Sequence, residues 1–225
     1  DMIEDCDVIF HLAARARIQP SFKTPTQSFE SNVVGTQNIL EWARQNGNIP
    51  VVYAGSSSKH GDIYSNPYTF TKWQGEQLCE MYSKVYDLPV TICRFYNVYG
   101  PHQLTEGDYC TVLGIFESLY KMNKPLTITS DGEQRRDFTH VEDIVDCLVE
   151  CYGLNKGFNE FELGRGKNYS INEIADCFGE DYPREYINEW KGEMRDTLCT
   201  DTKARDLLGW KPTRDIIEYI KKTNG

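Results

Sequence analysis

No apolar run in this sequence approaches the roughly 20 residues needed to cross a bilayer, so no membrane-spanning helix is expected. Positive charge is also scarce: 24 Lys and Arg stand against 34 Asp and Glu, a formal net charge of −10, and no basic stripe gathers the cations. That balance argues against nucleic acid and membrane surfaces as partners. It leaves room for small anions, which need only one or two local cations. No CxxC pair occurs among the eight cysteines Cys6, Cys79, Cys93, Cys110, Cys147, Cys151, Cys177 and Cys199. Several lie inside apolar runs such as TICRF, as small buried hydrophobes do in a reducing, cytoplasmic protein. Cys147 and Cys151 are one helical turn apart, but no histidine or further cysteine pair joins them, so no metal site is expected. The opening DMIEDCD is acidic where a secretory leader is basic and then apolar; no signal peptide is expected in it, and without a methionine at position 1 the true start is expected upstream.

What the chain does contain is a regular alternation. DVIFHLAA (7–14) is a nearly all-apolar run, as in a strand buried on both faces of a parallel sheet. SFESNVVGTQNILEWARQNG then repeats apolar residues at helical spacing and ends on a glycine. IPVVYAG reads as a second buried strand. Asn66 and Pro67 have the types of a cap and a first helical residue, opening a helix to about Tyr86. LPVTICRF is a third strand. Strand, helix, strand, helix, strand predicts an α/β fold with a doubly wound, Rossmann-like parallel sheet. The second half is less regular: a helix near 111–121, a strand PLTIT, the segment RRDFTHVEDIVDCLVECY, a lobe strand FNEFELG, a helix from Ser170 and a terminal helix from Thr213. It is expected to form a smaller lobe interwoven with the first.

Tyr68 and Lys72 in YTFTK lie four residues apart and share a helix face. For a tyrosine to act as a base near neutrality its pKa must fall by about 3 units, roughly 4 kcal/mol. An ammonium about 4 Å away contributes on the order of 4 kcal/mol at an effective dielectric near 20, so the pairing is chemically sufficient. YAGSSSKHG places Ser56 at the carboxyl end of the second strand, where open α/β sheets bind ligands and where a hydroxyl could share a proton with Tyr68. A plain polar turn remains the alternative for GSSS.

Together FHLAA, SNVVGT, SSSKHG, YTFTK, RFYNVYGP, DGEQRRDFTHVEDI and GEMRDTLCTDTKARDLLGW, in this order and spacing, resemble the extended short-chain dehydrogenase/reductase family, specifically its NAD-dependent nucleotide-sugar epimerases and dehydratases. The resemblance implies roles. Tyr68 is the base, Lys72 its electrostatic partner and a ligand of the nicotinamide ribose, and Ser56 the hydroxyl bridging to the sugar. Leu12, Ala13, Ala14, Asn32, Ala54, Phe95 and Tyr96 line the cofactor. Asn97 and Arg136 contact the substrate diphosphate, Thr127 and Thr129 line the nucleotide pocket, and Lys191 stands in for an arginine usual before the late PGE segment. His11 and His140 read as packed structural histidines, Asp137 and Asp143 as loop supports or caps, and Asn32 alternatively as a residue bonding within the helices.

The resemblance further implies residues 1–96 as the remaining part of the NAD-binding domain and 97–225 as mainly the nucleotide-sugar lobe, with a return around 136–152. The cofactor implied is NAD; NADP stays open, because the residue that reads the ribose 2′ position is not in this sequence. The glycine-rich GxxGxxG turn of the family is also not in it, so the expectation is a fragment or a natural truncation beginning at the family's fourth strand. Dehydratases carry an acidic pair after the catalytic Ser/Thr, whereas Ser57 and Ser58 stand here, which favours a 4-epimerase acting on a UDP-linked sugar. A dehydratase, a UDP-glucuronate decarboxylase, and a non-catalytic nucleotide-sugar-binding or dimerisation module are the alternatives. A homodimer through helices 28–46 and 68–86 is expected by the same resemblance.

Overall fold

The computed structural model describes residues 6–224. Along the chain, β1 (Ile9–His11) leads through α1 (Ile18–Lys23), α2 (Pro25–Phe29), one π-helical segment (Glu30–Val34) and α3 (Gly35–Gln45) to β2 (Val51–Ser56). Then come α4 (Pro67–Tyr86), β3 (Val90–Phe95), β4 (Asn97–Tyr99), α5 (Val112–Lys121), β5 (Leu126–Thr129), β6 (Arg135–His140) and α6 (Val141–Glu150). The chain ends with β7 (Phe158–Leu163), β8 (Asn168–Ser170), α7 (Ile171–Asp176), β9 (Arg184–Ile187), α8 (Lys203–Leu208) and α9 (Ile216–Asn224). Among the described residues no helix is long and apolar enough to cross a membrane.

Two compact units result. One holds the chain up to Phe95 with Val145–Leu163 and Thr202–Trp210. Its sheet is parallel throughout, in the order β1-β2-β3-β7, with Tyr53 opposite Ile92 and Ser56 opposite Phe95. Every residue of β2 is buried, as the continuous run VVYAGS requires of a strand covered on both faces. Leu40, Ala43, Val51, Tyr53, Cys79, Leu88, Val90 and Ile92 make its core. The other unit comprises Tyr96–Ile144, Gly164–Asp201 and the chain from Lys211 on, around Tyr99, Leu113, Phe116, Leu126, Ile128, Phe138, Ile174 and Ile220.

Three differences from the sequence expectations have physical causes. The apolar run 7–14 pairs only over Ile9–His11, and Leu12 and Ala13 leave the sheet exposed at its carboxyl end. FNEFELG, read as a lobe strand, is β7 of the parallel sheet; its Glu160 and Glu162 disguise it because their charges are taken by Arg94. The helix expected at 28–46 begins earlier, at Pro25, and loosens into π geometry around Asn32.

Candidate active site

β2 and α4 build one end of the first unit's sheet. Ser56 is the last residue of β2, and its hydroxyl accepts a hydrogen bond from the Tyr68 hydroxyl at 3.3 Å. The Ser58 amide, at the start of the following 3-10 turn, also donates to the Ser56 Oγ at 3.3 Å, which fixes the serine rotamer. Tyr68 lies in the first turn of α4, one residue after Pro67. Lys72, one turn on, is 4% exposed; its ammonium donates to the Ala54 carbonyl at 2.6 Å and to the Tyr53 hydroxyl at 2.9 Å, over the face of the tyrosine ring. That contact is possible because residue 75 is glycine: a Cβ there would collide with the Tyr53 hydroxyl. Burial lowers the Lys72 pKa from its ordinary 10.5 to about 8, against the pull of Glu76. Burial raises the Tyr68 phenol above its ordinary value, opposed by the Ser56 hydrogen bond and the Arg17 guanidinium.

Beneath Ser56 lies a charged platform that sequence reasoning missed. Arg94 is 4% exposed and donates to Glu76 at 3.0 Å, Glu162 at 2.8 Å and Glu160 at 2.6 Å. Glu76 in turn accepts from the Ser56 amide at 3.4 Å and pairs with Lys59 at 3.4 Å, while His60 meets Glu162 at 3.0 Å. Both ends of the turn after Ser56 are therefore tied to carboxylates held by one buried guanidinium. The only hint in the sequence is the arginine inside an apolar strand, a residue type that is buried only when paired.

The stretch following β1 is tied to α4 twice. The Tyr68 amide donates to the Ser21 hydroxyl at 3.1 Å. Asn32, in the π segment, accepts from the Arg15 amide at 2.7 Å and donates to the Arg15 carbonyl and the Thr71 hydroxyl, both at 3.1 Å. Its amide thus ties the loop after β1 to α4. Leu12, Ala13 and Ala14 form the partly exposed ledge at the end of β1, and Phe95, half-buried, ends the neighbouring strand β3.

In the second unit Asp137 is fully buried and accepts amide hydrogens from Arg165 and Gly166 at 2.9 Å and from Cys199 at 3.0 Å, a loop support as expected. Asn97 donates to the Asp137 carbonyl at 3.3 Å and to the Thr197 hydroxyl at 3.4 Å. Arg136, half-buried, pairs with Glu193 at 3.4 Å; burial lowers its pKa, with Glu193 acting against the change. Thr127 and Thr129 are on the more open side of β5, alternating with buried Leu126 and Ile128. The Thr129 hydroxyl accepts from Gln134 at 2.9 Å. Lys191 is exposed and Tyr96 buried. Thr197 and Glu193, which touch Asn97 and Arg136, were not singled out by the sequence.

Residues 1–156 match the family described as the NAD dependent epimerase/dehydratase family. A UDP-glucuronate 4-epimerase of Thermodesulfobacterium geofontis is 32% identical over 96% of this chain and 70% of its own length. A UDP-glucose 4-epimerase of Mycolicibacterium smegmatis is also 32% identical, over 96% of this chain and 74% of its own. Among solved structures, the UDP-glucuronic acid 4-epimerase of Bacillus cereus in complex with UDP-glucuronic acid and NAD is 28% identical and superposes with a TM-score of 0.86, over 96% of this chain and 76% of that one. The match over more than half of the sequence and the shared parallel α/β fold place this chain in the NAD dependent epimerase/dehydratase family.

Proposed function

We propose that the chain carries a nucleotide-sugar 4-epimerase site with Tyr68 as its base. The observation that carries this reading is the Tyr68–Ser56 hydrogen bond at the carboxyl end of β2, with Lys72 seated one turn below. As the base, Tyr68 acts in its phenolate form: a sugar hydroxyl meeting both oxygens gives its proton to the ionised Tyr68 Oη, which becomes a neutral phenol, while the Ser56 Oγ holds the hydroxyl in line. The same tyrosine returns the proton when the sugar carbon is reduced again. Lys72, its pKa lowered by burial to about 8, stays largely cationic at neutral pH, and the Tyr53 hydroxyl and Ala54 carbonyl hold its ammonium against the strand that ends at Ser56.

The residues present fit a dinucleotide: the partly exposed Leu12–Ala14 ledge is small and apolar, at the carboxyl end of a parallel strand. Ala54, Phe95, Lys72 and Tyr96 complete the proposed contacts. When bound, NAD would supply the hydride acceptor for the sugar carbon and give the hydride back. Asn97, Arg136, Thr127, Thr129 and Lys191 are proposed for the nucleoside diphosphate, since Arg136 offers the planar guanidinium that suits phosphate. Ser57 and Ser58, lacking an acid, favour epimerisation over dehydration. A dimer through helices 28–46 and 68–86 is supported by exposed Phe29, Val34, Met81 and Val85 on them.

The test has two parts. Mass spectrometry of the denatured protein should release NAD. Tyr68→Phe should then cut the interconversion of UDP-glucose or UDP-glucuronate by about a hundredfold or more while the fold is kept. Undiminished turnover in that variant would remove Tyr68 as the base.

A further inference from the structure

Ser56 is held through its backbone as well as its side chain, and the group that holds the backbone belongs to α4. The Glu76 carboxylate, 1% exposed, accepts the Ser56 amide on its Oε1 at 3.4 Å. Its Oε2 accepts the Arg94 guanidinium at 3.0 Å and meets the Lys59 ammonium at 3.4 Å. The approach is close. A Cβ on residue 55 would come within 2.7 Å of the Glu76 Oε1 and 2.8 Å of the Arg94 Cγ, so it is a glycine that lets both side chains lie against the strand.

Two features set this group apart from an ordinary buried ion pair. Tyr68, Lys72 and Glu76 follow one another at four-residue steps and form one stripe of α4. The helix that carries the proposed base therefore also carries the group that fixes the hydroxyl beside it. The second feature is the chemistry of the contact: each carboxylate oxygen accepts from a donor of its own. A glutamine of the same size has one acceptor oxygen, and its amide nitrogen would turn a donor toward either Ser56 or Arg94. The charged Arg94 donor takes the oxygen, and the Ser56 amide is left facing N–H groups.

We propose that Glu76 is the positioning residue of Ser56: it fixes the backbone of that serine from the helix that carries Tyr68, and so sets the 3.3 Å separation of the two hydroxyls that meet the sugar. Arg94 and Lys59 steady the carboxylate. The role in the reaction rests on Tyr68 being the base; the placing of Ser56 does not.

The experiment uses the 225-residue chain and has two readouts. The first needs no turnover. Fluorinated tyrosine is incorporated, and the Tyr68 fluorine signal is assigned by its loss in Tyr68→Phe. Glu76→Gln should move that signal, and should lose most of the movement in a Ser56→Ala background. The second readout is epimerisation of UDP-glucose or UDP-glucuronate. Glu76→Gln should lower kcat about tenfold with little change in KM, and should add almost nothing to Ser56→Ala. Lys59→Met, at the partly exposed end of the cluster, should repeat both patterns at about threefold, and decides the matter alone should Glu76→Gln fold poorly. A purely structural glutamate would lower the melting temperature and act equally in both backgrounds. An unmoved Tyr68 signal in the variants that fold overturns the proposal, and so do effects that persist in full in Ser56→Ala. Undiminished turnover in Tyr68→Phe would instead remove the proposed base and leave the fluorine comparison standing.

Discussion

His11 is packed where a proton is unwelcome. Its ring is tilted against Tyr53 with centroids 5.5 Å apart, and its Nε2 lies 3.0 Å from the Thr36 hydroxyl. Burial, and after it the Lys72 ammonium, lowers its pKa from 6.5 to about 4. Between those two values the unfolded chain binds the proton and the folded chain does not, so the group's contribution to stability is complete above 6.5, declines as pH falls, and is gone below about 4. The slope for one such group is at most about 1.4 kcal/mol per pH unit. Denaturant unfolding compared at about pH 7 and about pH 5 should show a smaller loss in His11→Gln than in the parent chain. An equal loss in both would mean that the histidine is not held neutral. The same neighbourhood shows the limit of reading residues one at a time. That Tyr68 and Ser56 meet follows from a helix start and a strand end, both visible in the sequence. The partners of Lys72 do not, because they need Tyr53 to project toward α4 and Gly75 to let it in.

α4 was legible nearly to the residue because its signals are local. Asn66 accepts the Thr69 amide at 2.8 Å, Pro67 follows at the first helical position, and Asp87 closes the helix in the left-handed region. The buried runs of β2 and β3 were as plain. β4 and β8 were not, since three residues carry no period, and β7 was misplaced because its acidic face is neutralised by an arginine distant in sequence. The turn at Arg17 had no signal at all, for only glycine announces a positive φ. The α4 cap carries its own consequence. Asn66→Ala removes the acceptor for the Thr69 amide and should lower stability by about 1 kcal/mol, seen as a fall in melting temperature. Asn66→Asp should recover most of it. Since Tyr68 sits in that first turn, the same variant should lose turnover more steeply than fold; a stable Asn66→Ala protein would show that Ser21 alone fixes the turn.

At the scale of the molecule, the proposed proton chemistry and the proposed nucleotide contacts belong to different compact units. Ser56, Tyr68 and Lys72 are in the first; Asn97, Thr127, Thr129, Arg136 and Lys191 are in the second. Each unit has its own core. With a net charge of −10, the chain as a whole repels anions, and an anionic ligand depends on local cations such as Arg136. That guanidinium is already paired with Glu193 and bonded to the Arg135 carbonyl at 2.9 Å, an orientation fixed before any phosphate arrives. A charge-assisted hydrogen bond contributes about 1.5–3 kcal/mol, so Arg136→Ala should weaken UDP binding by roughly ten- to a hundredfold in calorimetric titration. Tyr68→Phe should leave UDP affinity unchanged. In hydrogen exchange, UDP should protect the amides of β4 and β6 in the parent chain and fail to do so in Arg136→Ala at the same concentration. Retained affinity in Arg136→Ala would take the diphosphate away from this arginine and leave Lys191 as the cation to test next.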